Sequence, residues 1–237
     1  MSVNAIRLVL VVFVGLVSGC QRTGDAPSAS TRAPASVVPK GSSDRVDSTC
    51  KALPADHDLL YKRGLELIDP YMQLTDRAPV GDAARSRKLA DGIVCLDRAL
   101  ELAPSNWAAF WVRGKAYQAL EDHARARESF ASAYSLQEQN PDVGRELVVE
   151  CLELGRSSEA VVVASRLSNA SQTDAGLRAN LALALLIDGQ VARAQQEVSQ
   201  ARKLDATDTI TKALEKRIGE VAAGVRPMPK TLGDLMR

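Results

Sequence analysis

The sequence predicts an all-α protein made of stacked helical hairpins, and three observations lead to this prediction. From residue 57 onward Ala, Leu, Arg and Glu dominate, and no alternating strand pattern of useful length appears. The prolines of this region fall between apolar-periodic segments, where they are expected to end helices: Pro70, Pro79, Pro104 and Pro141. Small residues recur every 34 residues, at Gly92, Ala126, Ala160 and Ala194. A period kept three times predicts a repeat solenoid with one continuous core.

The clearest single hairpin runs from Trp107 to Ala133. Small residues where two helices cross let the backbones approach, so Gly114 and Ala126 are expected to form the close contact. Tyr117 and Phe130 are expected to fill the hollow beside it. The same packing role is predicted for the small residues Gly64, Gly92, Ala133, Ala160, Ala194 and Ala201.

This spacing resembles the tetratricopeptide repeat, and the resemblance covers four repeats over residues 57–205. The third repeat keeps the turn Leu154-Gly155 but has Val148 where the family usually has glycine. The fourth matches without an aromatic residue. The resemblance implies a tetratricopeptide-repeat helical hairpin solenoid whose first helices bind a protein or peptide and whose function is not enzymatic.

The first repeat departs from the pattern. Gly64 lies 28 residues before Gly92, where the family spacing asks for 12. We therefore expect an insertion of 16 residues at about 69–82, with a lengthened second helix that begins near Asp82. Insertions of this kind usually form a loop on one face of a repeat array.

After the fourth repeat, residues 206–223 are expected to form a capping helix, because apolar residues return there at helical spacing: Ile210, Leu214, Ile218 and Val221. Residues 224–237 contain two prolines and few apolar anchors. We expect a mobile tail, in which Leu232, Leu235 and Met236 form a possible weak docking motif.

The N-terminus has the pattern of an export signal. Arg7 precedes an apolar run over residues 8–17, which is ten residues long, whereas a membrane-spanning helix needs about 20. The following Val17-Ser18-Gly19-Cys20 resembles the lipobox of bacterial lipoproteins, which implies a signal peptide over 1–19 and a lipid on Cys20. In that family Gln21, which is not aspartate, implies the outer membrane, facing the periplasm. The alternative is a chance cysteine beside an ordinary signal peptide.

Residues 20–56 are rich in Pro, Ala, Ser, Thr and Gly, which predicts a flexible tether. A flexible chain of this length reaches about 30–35 Å. Without Arg7 the mature chain would carry 29 basic residues (30 minus one) and 29 acidic residues. This balance offers no basic excess for nucleic acid or for an anionic membrane surface. The repeat resemblance implies a protein partner, and the lipobox resemblance implies a membrane contact through the lipid on Cys20.

Three cysteines remain after Cys20. Cys50 precedes the repeats and could reach Cys95 in the first repeat, while Cys151 looks like a buried core residue. In an oxidising compartment a Cys50–Cys95 bridge could persist. The sequence leaves open whether this bridge forms or whether the chain has no disulfide at all.

No catalytic, metal or cofactor site is expected. The two histidines, His57 and His123, stand at no ligand spacing from each other or from a cysteine. The nucleophile elbow, phosphate-binding loop, zinc-protease motif and dinucleotide fingerprint are all missing from the sequence.

The resemblance also implies where a partner binds. In the family, fixed positions of the first helices line a groove, and the residues of this sequence that match two of those positions and are predicted to bind are Tyr61, Leu65, Trp111, Lys115, Arg145 and Leu183. Aromatic and arginine residues are enriched in binding hot spots. The alternative for Tyr61 and Trp111 is simple packing between neighbouring helices.

The sequence therefore favours a lipid-anchored adaptor of the bacterial cell envelope that holds a partner peptide or helix. Type IV pilus pilotins and other assembly lipoproteins share this layout, which suggests assembly of a pilus or secretion machine. The alternative is an accessory factor that regulates cell-wall or transport enzymes. Layout alone does not determine function.

Overall fold

The computed structural model describes residues 49–72 and 83–235. The predicted signal peptide, Cys20 and most of the predicted tether lie outside the described residues, as does Met236. Within the described ranges all regular structure is helical, which confirms the predicted fold class. No helix in those ranges is both long enough and apolar enough to cross a membrane.

Eleven helices follow one another in the described ranges. They are α1 (Thr49–Ala52), α2 (His57–Met72), α3 (Ala83–Leu102), α4 (Trp107–Ala119), α5 (His123–Leu136), α6 (Pro141–Glu153), α7 (Ser157–Ala170), α8 (Ala175–Ile187), α9 (Val191–Leu204), α10 (Thr209–Ala222) and α11 (Leu232–Leu235). The pairs α2–α3, α4–α5, α6–α7 and α8–α9 form four hairpins, and α10 stacks on the last hairpin.

The boundaries of the first helices are set by side-chain caps. Asn106, Asn140 and Asp174 each accept hydrogen bonds from backbone N–H groups one turn into the helix that follows. Such caps satisfy donors that the helix itself leaves unpaired. Between the two helices of the third and fourth hairpins the chain turns at Gly155 and Gly189, both in the left-handed region at φ 68° and 80°. Glycine adopts this conformation without steric cost.

The helix crossings depend on small residues. A Cβ atom on Gly114 would lie 2.5 Å from Phe130 Cε1, and one on Gly92 would lie 2.6 Å from Ile68 Cγ1. In the third hairpin Gly144, one turn before Val148, makes the corresponding close approach to Leu167. The alanines predicted to pack between helices, together with Phe130, are fully buried: Ala126, Ala133, Ala160, Ala194 and Ala201.

The first helices lie side by side. Helix α2 contacts α4, α6 contacts α8, and α8 contacts α10. They therefore share one face of the array, which we call the inner face: the surface of α2, α4, α6 and α8 that is turned away from the second helices. Any partner bound along the array through its first helices would lie on this inner face.

The first hairpin differs from the sequence prediction. Helix α2 does not end at Pro70 but continues through it to Met72. Helix α3 agrees with the prediction of a lengthened helix that begins near Asp82, because it begins at Ala83 and is 20 residues long. Pro70 lies in the last turn, where it removes only one backbone hydrogen bond, and Tyr71 and Met72 pack on the core. Part of the predicted insertion is thus helical, and residues 73–82 lie outside the described ranges.

The N-terminal segment joins the fold earlier than predicted. Cys50 is bonded to Cys95, with the two Cα atoms 5.1 Å apart. Arg98 in α3 donates hydrogen bonds to the carbonyl oxygens of Cys50 and Leu53. Residues 49–56, predicted as the end of a flexible tether, are therefore held on the second helix of the first hairpin.

The C-terminal segment is also attached as far as residue 235, which corrects the prediction of a mobile tail over 224–237 for the residues that the structure describes. Leu232 is fully buried and Leu235 nearly so, in the same core cluster as α6, α8 and α10. Helix α11 contacts α6, and Arg217 donates a hydrogen bond to the carbonyl oxygen of Leu235. Burial of the two leucines removes apolar surface from water and so stabilises the docked form of a segment whose sequence has no helical periodicity.

Candidate binding surface on the first helices

The six residues predicted to bind a partner all lie on first helices, but they differ in exposure. Tyr61, Leu65, Trp111 and Leu183 are partly buried, so each keeps some accessible surface. Lys115 and Arg145 are buried, with exposed fractions of 5% and 4%. The two cations therefore need partners within the protein, because an unpaired charge cannot be buried at tolerable cost.

Lys115 is part of a buried ion pair. Its Nζ atom donates hydrogen bonds to Glu146 Oε1 at 2.9 Å and to Gln118 Oε1 at 2.7 Å. Glu146 lies on α6, so the pair joins the second hairpin to the third. The prediction that Lys115 contacts a partner is wrong in this structure, because its ammonium group is used inside the array.

Arg145 makes the corresponding link one hairpin later. Its Nη2 atom donates to Asp174 Oδ2 at 2.8 Å and its Nη1 atom donates to Asp142 Oδ1 at 3.1 Å. The other carboxylate oxygen of Asp174 caps α8 by accepting from the N–H of Leu177 at 2.9 Å. Arg145 thus fixes the start of the next first helix, and its predicted role in binding is corrected to one in positioning that helix.

Beside Lys115 lies a network that the sequence did not reveal. Gln118 Nε2 donates to Glu146 Oε2 at 3.1 Å and to Glu150 Oε1 at 2.8 Å, and His123 Nδ1 lies 2.8 Å from Glu150 Oε2. The hydrogen bond to Glu150 raises the pKa of His123 above its usual value. The only sign of this network in the sequence is that polar residues occur on the apolar side of α6. The repeat pattern does not show which residues they bond to.

Trp111 packs between neighbouring helices, which is one of the two roles that the sequence left open, and its role in binding stays a prediction. It packs against the two core clusters at the junction of the first and second hairpins, and its ring centroid lies 6.0 Å from Lys115 Nζ. Its indole N–H has no acceptor among the described residues. Because part of the side chain also stays accessible, Trp111 is a packing residue that still presents aromatic surface.

Tyr61 lies on the neighbouring first helix. Its ring stacks on that of His57, with the centroids 6.3 Å apart, and His57 Nε2 is 2.8 Å from Asn106 Nδ2. Burial raises the pKa of Tyr61, so its phenol stays neutral and can donate a hydrogen bond. Tyr61, Leu65 and Trp111 are thus three partly exposed residues on the neighbouring helices α2 and α4, all packed on the same core cluster, and we call them the aromatic patch.

Two observations concern metal-ligating groups and free thiols among the described residues. No group of three or more His, Cys, Asp or Glu residues within residues 49–72 and 83–235 is placed to hold a metal ion. Cys151 is the one free cysteine of these ranges, and burial raises the pKa of its thiol to about 12. A thiol of that pKa is almost entirely protonated near neutral pH and is a poor nucleophile.

Four helical hairpins stacked through small residues at a 34-residue spacing define the tetratricopeptide-repeat type of solenoid. Comparison with solved structures supports this fold. A structure titled "Crystal structure of YrrB: a TPR protein with an unusual peptide-binding site" matches with a TM-score of 0.51 and 17% identity, over 74% of this chain and 88% of YrrB. The "MamA RS-1 ArsTM double mutant" matches with a TM-score of 0.52 and 17% identity, over 68% of this chain and 85% of that chain. A scan against protein-family models and a search of curated proteins gave no match.

Proposed function

We propose that this protein is a lipid-anchored adaptor of the bacterial cell envelope, which binds a segment of a partner protein on the inner face of its repeat array. The observation that carries the proposal is the patch of Tyr61, Leu65 and Trp111 on two adjacent first helices, partly exposed and supported from behind by the core. Aromatic side chains on a rigid support are suited to protein recognition.

The charges of the inner face define the kind of partner. Lys115 and Arg145 are neutralised by Glu146, Asp142 and Asp174. An acidic peptide would find no free cation at these two positions. The proposed ligand is therefore an apolar or amphipathic segment, which would bury its apolar side chains against the aromatic patch.

The location of the adaptor is inferred from the N-terminal sequence. The lipobox-like ending at Cys20, followed by a polar spacer, supports attachment to the outer membrane on the periplasmic side. Cys20→Ser should abolish the acyl mass of the mature protein and shift it from the membrane fraction to the soluble fraction. An unchanged mature mass would contradict the lipid anchor.

The binding role can be tested by photo-crosslinking in cells. A photoreactive phenylalanine analogue would replace Tyr61 or Trp111, and a matched control would carry it at Val162, which is exposed on the second helix α7. Lys115 is unsuitable, because its replacement breaks a buried ion pair. A defined adduct from Tyr61 or Trp111 that is absent from Val162 is the expected result.

The identity of the adduct separates the possible roles. A pilus or secretion component would support a role in machine assembly, and a peptidoglycan synthase or hydrolase would support a regulatory accessory role. Equal labelling from all three positions, or none from Tyr61 and Trp111, would contradict binding at the inner face.

A further inference from the structure

The C-terminal segment crosses the array instead of leaving it. It begins at the end of α10 and ends on α6, and α8 lies between these two helices, because it contacts both. The segment therefore has to pass α8. It consists of two parts: a strap, residues 222–228, which is exposed throughout, and an anchor, residues 229–235, in which Pro229, Leu232 and Leu235 are buried.

The anchor is held by a capped turn, by two buried leucines and by a hydrogen bond from α10. Asp234 Oδ2 accepts hydrogen bonds from the backbone N–H groups of Lys230 and Thr231 at 2.9 and 3.1 Å, which closes the turn that precedes α11. Leu232 and Leu235, three residues apart, point into the core cluster. Arg217 of α10 donates to the carbonyl oxygen of Leu235 at the end of the segment.

The anchor lies at the C-terminal end of α6. Near the C-terminal ends of α6 and α8 stand Leu152, Leu186 and Ile187. All three are buried and belong to the same cluster as Leu232 and Leu235. At Gly155, just after α6, a Cβ atom would lie 3.6 Å from the carbonyl oxygen of Lys230, so the anchor touches this end of the helix.

The attachment is of a kind that can be reversed. A helix of four residues is not stable alone, so α11 forms only while it is docked. The burial of only three side chains must offset the conformational entropy that the whole segment loses when it docks. Each repeat helix, in contrast, buries side chains against neighbouring helices on several sides. The strap is exposed, and its bonds to α10 include the hydrogen bonds from the N–H groups of Val225 and Arg226 to the Glu220 carbonyl oxygen and the ion pair between Arg226 and Glu220.

We infer that the anchor is a resident ligand in cis, which covers the C-terminal half of the inner face. A partner binds there by displacing the anchor with a segment of the same chemistry. That segment has two leucines three residues apart, and they follow a turn that is capped by an acidic side chain. This inference rests on the proposed function, since a resident ligand regulates only a surface that also binds another protein. The short strap keeps the anchor at a high effective concentration, so that only a partner segment of sufficient affinity can compete.

The test uses the chain from Gln21 to Arg237 with a specific protease site inserted in the strap between Val225 and Arg226, where both residues are exposed. The protein folds with its anchor in place and is then cut, and the anchor is removed by gel filtration. The probe is a fluorescent synthetic peptide of residues 224–237. We expect the cut protein to bind this peptide at least tenfold more tightly than the uncut protein does.

Two variant peptides test the chemistry of the contact. Leu232→Ser with Leu235→Ser should abolish binding, because it removes the buried side chains. Val225→Ser with Met228→Ser should bind like the natural peptide, because both residues are exposed in the strap. Equal binding of the two variants would overturn the inference.

Other results would also overturn it. The anchor could stay with the cut protein through gel filtration. The protein could lose cooperative unfolding once the anchor is removed. Finally, the cut protein could stay folded and yet not bind the peptide. Peptide binding reports on the resident ligand alone, whereas crosslinking from Tyr61 and Trp111 reports on the partner. The two proposals can therefore fail separately.

Discussion

Lys115 Nζ and Glu146 Oε1 lie 2.9 Å apart across the boundary between the second and third hairpins, and both side chains are almost fully buried. The pair is separated by 31 residues in the sequence. It belongs to a polar network inside an otherwise apolar stack of helices. Such a pair constrains how the two hairpins dock, because neither charge can be buried without the other.

Removing one partner of this pair should destabilise the protein strongly. We expect Lys115→Met to lower the free energy of unfolding by about 3–5 kcal/mol, since the Glu146 carboxylate is left buried without its cation. Chemical denaturation measures the change. The double variant Lys115→Met with Glu146→Leu should recover most of the loss. Lys216→Met, which breaks an exposed pair with Glu220, should cost no more than about 0.5 kcal/mol.

The stability of the protein should depend on the ionisation of His123. Its folded-state pKa is raised by the hydrogen bond to Glu150 and by the nearby charges of Glu150, Glu153 and Glu121. A raised pKa means that the native state binds the proton more tightly, so this stabilisation is complete below the unfolded-state pKa of about 6.5. It is lost as the pH rises through the folded-state value.

The measurement is the free energy of unfolding from pH 5 to 8 for the natural protein and for His123→Gln. The difference between the two proteins should shrink as the pH rises above about 6.5. Parallel pH profiles would show that His123 does not contribute in this way.

Two glycines in helices should respond to alanine in opposite directions. In Gly114→Ala the new methyl group would collide with the ring of Phe130, which is fully buried and cannot move aside. We expect a loss of about 1–3 kcal/mol. In Gly219→Ala no atom lies within 4 Å of the new methyl group, so the gain in helix propensity of about 0.5–1 kcal/mol should appear as added stability. Thermal melts of the two variants would contradict this account if they shifted in the same direction.

The disulfide can be checked by counting thiols in a chain that begins at Gln21 and so contains three cysteines. The denatured, unreduced protein should label at one thiol, that of Cys151, and the reduced protein at three. In the native protein Cys151 should label slowly, because its pKa is raised to about 12 by burial. Labelling of three thiols without reduction would exclude the bridge.

Loss of the same bridge should lower stability. Cys50→Ser should cost about 2–4 kcal/mol, because the closed loop between the two cysteines restricts the unfolded chain. A reductant should have the same effect on the natural protein and none on Cys50→Ser.

The helical hairpins were predictable because their signal is local and repeated. A small residue is required wherever two helices cross, and the crossing returns every 34 residues, so Gly92, Ala126, Ala160 and Ala194 mark it without any long-range information. In the third hairpin the close approach is made by Gly144, one turn earlier than expected. A residue one turn earlier lies on the same face of the helix, so helical periodicity in the sequence does not distinguish the two positions.

The roles of Lys115 and Arg145 could not be predicted in the same way. The repeat position indicates the side of the helix on which a residue lies, but not whether an acid on the next hairpin neutralises it. Glu146 and Asp174 are about one repeat away from the cations that they pair with. The C-terminal anchor was missed for a related reason, since a four-residue helix is too short to show periodicity.

The bond between Cys50 and Cys95 determines how the protein would bear mechanical load. A pull on the chain that precedes the fold would enter at Cys50 and pass directly through the bond to α3. The residues between the two cysteines, including α2 with Tyr61 and Leu65, would carry no tension. Tension applied along the chain at Cys50 would thus bypass the backbone of α2, the helix that carries two of the three residues of the aromatic patch.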